Sequence, residues 1–216
     1  MNFDDCLKNR FSCRDFCKDF SLDNDTLTKL SKLAYLSPSA SNMQEVKLCF
    51  VSNNILKTLK QELLKAFYEN SKKSAFLNFY PANLAQNYKD KRFLNASKLY
   101  GLLNINKDDK NARLKQWAKN YEFFNANNAA FIYIDKDLDN GAIFDAGIFS
   151  ANLINAATSL NINTCFQASV CEYNDIISNV LNINNVNFLC AIALGKATKD
   201  KINSFRSEKR AEFKIF

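Results

Sequence analysis

The chain has 216 residues, of which 47% are hydrophobic, and this is enough for a real core in one large domain or two small ones. It contains no histidine, which excludes a Ser-His-Asp or Cys-His nucleophile and any zinc site that needs imidazole. A formal net charge of +7 favours an anionic ligand or partner.

Cysteine usage and the lengths of the apolar runs indicate the compartment. The seven cysteines are odd in number and form no Cys-x-x-Cys pair, so neither a disulfide framework nor a cysteine-only zinc site is indicated. The N-terminus lacks a secretory signal, and the longest apolar runs, such as residues 188–194, are too short to span a bilayer. We therefore expect reduced thiols in a cytoplasmic protein with no metal and no membrane partner.

Nucleic acid is another anion that a basic chain could bind. The lysines are scattered, often beside Asp or Glu, and the sequence has neither an aromatic sheet motif nor a paired Cys/His finger. We therefore expect no nucleic-acid partner.

Residues 10–16 read RFSCRDF and place Arg10, Ser12 and Arg14 at alternate positions. In an extended segment, alternate side chains project to one side, so these three could converge on one small anion. Guanidinium groups supply forked donors that match phosphate oxygens, and the hydroxyl adds a neutral donor. A phosphate-binding segment and solvated charge on a surface helix both remain open, and the isolated motif favours the second.

The next elements follow from capping residues and periodicity. Asn24 and Asp25 are good N-caps for a helix at about 25–36. The small polar residues at 37–42, SPSASN, predict a loop where backbone can approach a ligand closely. Alternating apolar residues over 46–50 predict a strand. The apolar stripe of a second amphipathic helix consists of Ile55, Leu59, Leu63 and Phe67.

The middle of the chain is more polar. Residues 70–121 carry interspersed aromatics with weak periodicity, and no Gly- or Pro-rich linker bounds them. We therefore expect helical excursions over the core rather than a second domain. Four aromatics in and after this segment are expected in core or interface packing, namely Trp117, Tyr121, Phe123 and Phe124.

The last third of the chain contains its most apolar segments. The predicted elements are strands at 129–134 and 188–194, a strand-like turn at 163–170 and a short helix at 172–181. Residues 145–160 are apolar on nearly every face, which predicts a helix buried at the heart of the domain or in a subunit interface. In this helix we expect Asp145 to act as a cap and Asn152 to make an interface hydrogen bond.

The order of elements is helix-rich with separated strands, which indicates an α+β sandwich with a sheet flanked by helices rather than a regular βαβ series. We expect one domain over residues 1–216, with a polar helical excursion at about 70–121 and a basic tail at about 203–216. There is no G-x-G-x-x-G or P-loop, so a nucleotide-like cofactor would be held without a Gly-rich phosphate loop.

Four separated stretches together resemble the FMN-dependent nitroreductase family. RFSCRDF at 10–16 resembles its R-x-S-x-R-x-F segment. LSPSASNMQ at 36–44 is similar to its A-P-S-x-x-N-x-Q-P-W loop, although Glu-Val replaces the final Pro-Trp. Residues 144–169 look like its long central dimer helix and the turn after it. AIALGKA at 191–197, followed by an Arg/Lys cluster, is similar to its C-terminal strand and phosphate-contacting tail.

This resemblance covers almost the whole chain, and the middle stretches are similar to the nitrobenzoate and nitroaromatic reductase branch. It implies a nitroreductase-like sandwich with a central, mainly antiparallel sheet, in an intertwined homodimer with the flavin site at the subunit interface. It implies bound FMN, NADPH or NADH as co-substrate, and ping-pong hydride transfer through flavin N5 to a nitroaromatic or quinone acceptor. The chemistry would lie on the flavin, so no protein residue is implied as an acid–base catalyst.

The resemblance also implies which residues hold the phosphate end of FMN. Arg10 and Ser12 would bind the phosphate or the ribityl chain. The tail would add cations, namely Arg206 and either Lys209 or Arg210. Arg14 would lie nearer the pyrimidine edge and stabilise the negative charge of the reduced flavin.

Two further groups of residues would contact the flavin ring of FMN. The loop of the other subunit would contribute Pro38, Ser39, Ser41, Asn42 and Gln44. The turn after the long helix would place Gln167, Ala168 and Ser169 beside N5 and O4 of the flavin.

Three other interpretations stay open. The chain could be an NAD(P)H-dependent flavin or quinone reductase of the same fold. It could instead be a non-enzymatic flavin-binding or anion-binding protein that keeps the phosphate site, and a nucleic-acid-binding module comes third. The choice between NADH and NADPH stays open because the Rossmann acidic residue is absent. The sequence does not name the acceptor, which we expect residues 70–121 to select.

Overall fold

The computed structural model of the chain describes residues 1–208 and 212–216. Its helices are α1 (Phe3–Asn9), α2 (Asn24–Ala34), α3 (Asn53–Tyr68), α4 (Gln86–Leu102), α5 (Lys110–Ala118), α6 (Asn140–Ser159) and α7 (Asn174–Leu181). Its strands are β1 (Lys47–Ser52), β2 (Asn128–Asp135), β3 (Asn163–Gln167) and β4 (Val186–Gly195). Short 3₁₀ turns lie at Ala40–Asn42, Phe123–Asn125, Ser169–Tyr173 and Lys201–Ser204.

The four strands form one antiparallel sheet in the order β1-β2-β4-β3. All ten residues of β4 are buried, and so are the first five residues of β2. A strand that is covered on both faces needs apolar residues at consecutive positions, and both of these strands have them. The most apolar runs of the sequence therefore occupy the centre of the sheet, and the expected antiparallel sheet is confirmed.

Helices cover both faces of the sheet, and the side chains of β2 alternate between the two cores. Phe131 packs in the core that contains Leu59 of α3. Ile132, the next residue, packs on the other face with Leu30 of α2 and Leu153 of α6. This layering confirms the α+β sandwich expected from the order of elements.

Two helices differ in detail from the sequence prediction. The N-cap of α2 is Asp23, whose carboxylate accepts a hydrogen bond from Thr26 N–H at 2.7 Å, so both predicted caps are wrong. Three successive Asp/Asn residues all have suitable cap chemistry, and only the path of the chain selects among them. In α3, Leu56 faces the core, whereas the predicted Ile55 is 55% exposed.

The long apolar helix also begins earlier than predicted. α6 starts at Asn140 after Asp139 as its N-cap residue. Asp145 therefore lies inside the helix and is not its cap, which corrects the expectation. Within residues 1–208 and 212–216, no helix is long and apolar enough to cross a membrane.

The RFSCRDF segment is extended and follows the end of α1, so the alternative of a surface helix is wrong. Ser12 pairs in parallel with Thr164, and Cys13 N–H donates to Thr164 O at 2.9 Å. Phe16 then pairs antiparallel with Ala197. The segment therefore borders β3 and continues past the end of β4, with Cys13 and Phe16 buried in the core.

Replacing Gly195 with alanine is expected to destabilise the protein, because the new Cβ would lie 3.0 Å from Cδ1 of buried Phe16. Overpacking of this kind costs about 1–3 kcal/mol, which urea denaturation measures as a lower free energy of unfolding. Gly101→Ala in α4 is the matched control, since its new Cβ meets nothing within 4 Å. Alanine there is expected to stabilise the helix by about 0.5–1 kcal/mol. Wild-type stability of Gly195→Ala would contradict the tight packing of Phe16 on this glycine.

Candidate functional site

β3 connects the two parts of the candidate site. Ser12 pairs with Thr164 near the beginning of this strand, and Gln167 is its last residue. At a rise of about 3.3 Å per residue, roughly 10 Å of strand separates Thr164 from Gln167. The site therefore extends along β3, from the N-terminal segment at one end to the turn at residues 168–169 at the other.

The N-terminal segment and the tail meet beside the beginning of β3. Asn203 joins them, because its Oδ1 accepts from Arg14 N–H at 2.8 Å and its Nδ2 donates to Asp15 O at 2.7 Å. Arg206 donates from Nη1 to Asn203 O at 2.7 Å, and its guanidinium lies 4.0 Å from the ring centroid of Phe11. Two segments at opposite ends of the sequence thereby form one surface.

This surface carries the positive charges of three arginines. Among residues 1–208 and 212–216, no salt bridge joins Arg10, Arg14 or Arg206 to an acidic side chain. Burial raises the pKa of Cys165 in β3 to about 11, and the charge of Arg14 acts against that rise, which places Arg14 close to the strand. Uncompensated arginines beside hydroxyl groups form a site suited to an anion such as phosphate.

A cavity of about 830 Å³ opens where β3 ends, within the range of roughly 300–1,000 Å³ typical of small-molecule sites. One wall consists of Phe166, Gln167, Ala168 and Ser169. The buried side chain of Gln167 donates from Nε2 to Asn120 O at 2.7 Å, whereas its Oε1 has no hydrogen-bond partner in the described part of the chain. A buried acceptor without a hydrogen-bond partner costs free energy.

α4 borders this cavity and a second, smaller one. Arg92 lines the cavity at the end of β3. Lys91, Leu94, Asn95 and Lys98 line a cavity of about 270 Å³ whose other wall contains Phe205 and Arg206. Space for a ligand therefore exists both beside the arginines and beside the turn, with α4 adjacent to each.

The SPSASN loop has a constrained backbone. Three non-glycine residues in and just after it have φ values of 50°, 57° and 54°, namely Ser41, Asn42 and Gln44. Left-handed residues of this kind cost on the order of 1 kcal/mol each, so other contacts must hold them. α6 provides two such contacts. Asp145 Oδ2 accepts from Ala40 N–H at 2.7 Å, and Asn152 Nδ2 donates to Ser37 Oγ at 2.8 Å. Within this chain, Asp145 and Asn152 thus anchor the loop.

The loop and the turn lie at the same end of the sheet but at opposite edges. The pairing register places Cys49, Phe131, Ala191 and Gln167 in one row across the four strands. Neighbouring strands are about 4.8 Å apart, so roughly 14 Å separates the ends of this row. The cavity beside the loop, which Ser37, Pro38 and Ser39 line, shares no residue with the cavity beside the turn.

The predicted site residues fall into three places. Ser12, Arg14 and Arg206 lie around the beginning of β3, and Arg10 precedes them as the C-cap residue of α1. Gln167, Ala168 and Ser169 line the large cavity. Pro38, Ser39, Ser41, Asn42 and Gln44 lie together in the loop at the other edge. Lys209 and Arg210 lie outside the described residues.

Several residues of the site have no counterpart in the sequence prediction. Tyr80 and Arg92 line the large cavity, and Asn203 joins the two terminal segments. Trp117 also lines the cavity and is 48% exposed, so it does not pack in the core of this chain and its interface packing stays a prediction, whereas Tyr121, Phe123 and Phe124 are buried as expected. Hydrophobic periodicity does not predict that α4 borders the cavity, because none of its residues is buried and no apolar face distinguishes one side of the helix.

Known proteins resemble this chain over nearly its whole length. The sequence model of the Nitroreductase family matches residues 7–196. A 4-nitrobenzoate reductase of Pseudomonas putida is 26% identical over 207 residues, which cover 95% of this chain and 90% of the relative.

Two solved structures share the fold of this chain. The crystal structure of the FMN-dependent nitroreductase NfnB from Mycobacterium smegmatis in complex with NADPH has a TM-score of 0.91 at 23% identity, covering 96% of this chain and 93% of that one. The FMN and NADPH-dependent nitroreductase NfnB from Sphigopyxis sp. strain HMH has a TM-score of 0.93 at 20% identity, covering 100% of both chains.

Replacing Asn203 with alanine is expected to lower the free energy of unfolding, because Arg14 N–H would lose the acceptor that links the N-terminal segment to the tail. Leaving a buried group unpaired costs about 1–3 kcal/mol, measurable as the free energy of unfolding in urea. Asn179→Ala, at an exposed position of α7, is the control and should keep wild-type stability. Equal stabilities of the two variants would contradict the role of Asn203.

Proposed function

This chain belongs to the nitroreductase family, and from that premise we propose that it is an FMN-dependent NAD(P)H oxidoreductase that reduces nitroaromatic or quinone acceptors. The observation that carries the proposal is the pairing of an arginine cluster, which has no salt bridge among the described residues, at one end of β3 with a large cavity at the other. All seven cysteines are unpaired, and we propose a cytoplasmic location on that basis.

The residues at the two ends of β3 fit the two ends of FMN. The cofactor has a phosphate of nearly two negative charges at one end and a planar ring with polar edges at the other. Arg10, Ser12 and Arg206 offer donors for the first, and the cavity offers a wall for the second.

Arg10, Ser12 and Arg206 would hold the phosphate and the adjoining chain, and Lys209 or Arg210 would add a further cation. Each charge-assisted hydrogen bond contributes about 1.5–3 kcal/mol. Two or three of them would retain a dissociable cofactor without a Gly-rich loop, which this chain lacks.

Arg14 would act on the charge of the ring. A cation near the pyrimidine edge stabilises the negative charge that forms when the ring is reduced. Asn203 holds the backbone of Arg14, and Arg14 Nη1 donates to Ser12 O at 3.3 Å, so the guanidinium is oriented by its neighbours. Ala168 and Ser169 would border N5 and O4 through their backbone.

Bound FMN would supply the redox chemistry, taking a hydride from NADPH or NADH at N5 and passing it to the acceptor. The chain binds and orients the reactants, and its lack of histidine agrees with chemistry that needs no acid–base side chain. One cavity beside the turn would receive the nicotinamide and the acceptor in succession, which is a ping-pong order.

We further propose an intertwined homodimer. Pro38, Ser39, Ser41, Asn42 and Gln44 lie at the edge of the sheet opposite to the turn, so they would reach the flavin of the partner rather than that of their own chain. The outer face of α6 supports this arrangement. It presents Phe144, which is 72% exposed, together with the exposed small residues Gly147 and Ala151. An apolar outer face on a long helix favours contact with a second copy.

Arg10→Ala is expected to weaken FMN binding about tenfold, because one charge-assisted contact of the phosphate is lost. Arg14→Ala should instead lower the reduction potential of bound FMN and slow its anaerobic bleaching by NADPH. Visible absorbance of the reconstituted protein measures the dissociation constant, the potential and the rate.

Lys8→Ala is the matched control for these variants, since Lys8 is an exposed cation near the same segment and pairs with Asp4. It should keep wild-type FMN affinity and potential. FMN affinity in Arg10→Ala equal to that of Lys8→Ala would contradict the phosphate role. A colourless wild-type protein that also fails to bind added FMN would overturn the proposed function.

Phe144→Asp is expected to shift the protein from a dimer of twice 24.7 kDa to a monomer, because it buries a charge in the proposed interface. Size-exclusion chromatography with light scattering measures the mass. Leu114→Asp changes an exposed leucine of α5 and should leave the dimer intact. A monomeric wild-type protein would contradict the dimer, and so would a dimeric Phe144→Asp variant.

A further inference from the structure

The large cavity contains one charge that its own wall does not neutralise. Lys73 Nζ lies 2.8 Å from Glu172 Oε2, and Tyr121 donates to the same oxygen at 3.2 Å. Arg92 is the other charged residue on the wall, and within residues 1–208 and 212–216 no carboxylate pairs with it. The charged side chains that line the cavity therefore sum to one positive charge, carried by Arg92.

The guanidinium of Arg92 is held in a way that leaves its donors available. Its central carbon lies 3.6 Å from the ring centroid of Tyr80, which is about the contact distance of two carbon atoms. At this distance the guanidinium lies against the ring, and its N–H groups make no hydrogen bond with residues 1–208 or 212–216. The segment that carries Tyr80 begins at an anchor, since Ser74 N–H donates to Glu172 O at 2.9 Å.

The rest of the wall is suited to a flat ligand. Trp117, Phe79 and Phe166 line the same cavity as Arg92, and each is partly exposed there. Aromatic side chains provide area for a planar ring, and a guanidinium binds two anionic oxygens at once. The wall thus combines an apolar surface with one anion-binding group.

We propose that Arg92 is a specificity-determining residue that binds the anionic substituent of the ligand occupying this cavity. The proposal rests on the proposed function, which makes the cavity the place where co-substrate and acceptor alternate. Two sources share the required chemistry. One is a carboxylate on an aromatic acceptor, and the other is the extra phosphate that distinguishes NADPH from NADH.

The test compares Arg92→Gln with Arg113→Gln in the FMN-loaded protein. Arg113 is the matched control, because it also lies over a tyrosine, Tyr100, at 5.3 Å but does not line the cavity. Calorimetry measures binding of benzoate and of neutral benzamide, neither of which is reduced. Steady-state kinetics measure the Michaelis constants for two acceptors, nitrobenzene and its carboxylated analogue 4-nitrobenzoate, and for the two co-substrates NADPH and NADH.

If the acceptor carries the anion, Arg92→Gln should raise the dissociation constant of benzoate and the Michaelis constant for the carboxylated acceptor about fivefold. Benzamide and nitrobenzene should be unaffected. If Arg92 instead binds the extra phosphate of NADPH, the Michaelis constant for NADPH should rise about fivefold, whereas the constants for NADH and for both acceptors should not change. Arg113→Gln should change none of these values.

Unchanged constants for every anionic ligand in Arg92→Gln would overturn the inference, as would equal effects on benzoate and benzamide. A wild-type protein that reduces neither nitroarene would refute the proposed function. In that case, the calorimetric comparison of benzoate with benzamide still decides whether Arg92 binds an anionic substituent.

Discussion

The pairing of β4 with both β2 and β3 is the interaction on which the rest of the structure depends. β4 is buried along its whole length, and its register places β3 at one edge of the sheet and β1, beyond β2, at the other. The turn after β3 and the loop before β1 therefore lie at the same end but about three strand spacings apart. Gly195 ends β4 and leaves room for Phe16, which lets the N-terminal segment lie against the sheet.

The candidate site contains charged and polar groups that have no acidic partner or no hydrogen-bond partner among the described residues. Arg14 and Arg206 are brought together without an acidic partner in the described residues, and Gln167 keeps a buried acceptor unpaired. In the wall of the large cavity, by contrast, Glu172 compensates the charge of Lys73. Two arginines near one end of β3 and a large cavity at its other end support a role in binding an anion with a polar ring.

α6 packs against the core with its inner face, holds the loop with two polar side chains, and leaves its outer face exposed. Its inner face packs Leu153 against the sheet, while Asp145 and Asn152 hold a loop whose left-handed residues would otherwise relax. Its outer face leaves Phe144 exposed. A second copy packed on that outer face would therefore meet a loop of fixed shape, which agrees with the proposed contribution of the loop to the partner's site.

Local pattern in the sequence predicts the apolar central strands, the helices α2, α3, α6 and α7, and the family resemblance, because periodicity, caps and short motifs depend on near neighbours. The N-cap of α2 and the start of α6 differ from the prediction, because neighbouring Asp and Asn residues compete as caps. Only the tertiary structure decided that RFSCRDF is extended along β3, that Asn203 joins the terminal segments, and that Asp145 anchors a loop. The same holds for Arg92, which lines a cavity although its helix has no buried face. These roles depend on strand register and on chain paths between residues far apart in sequence, which no local pattern encodes.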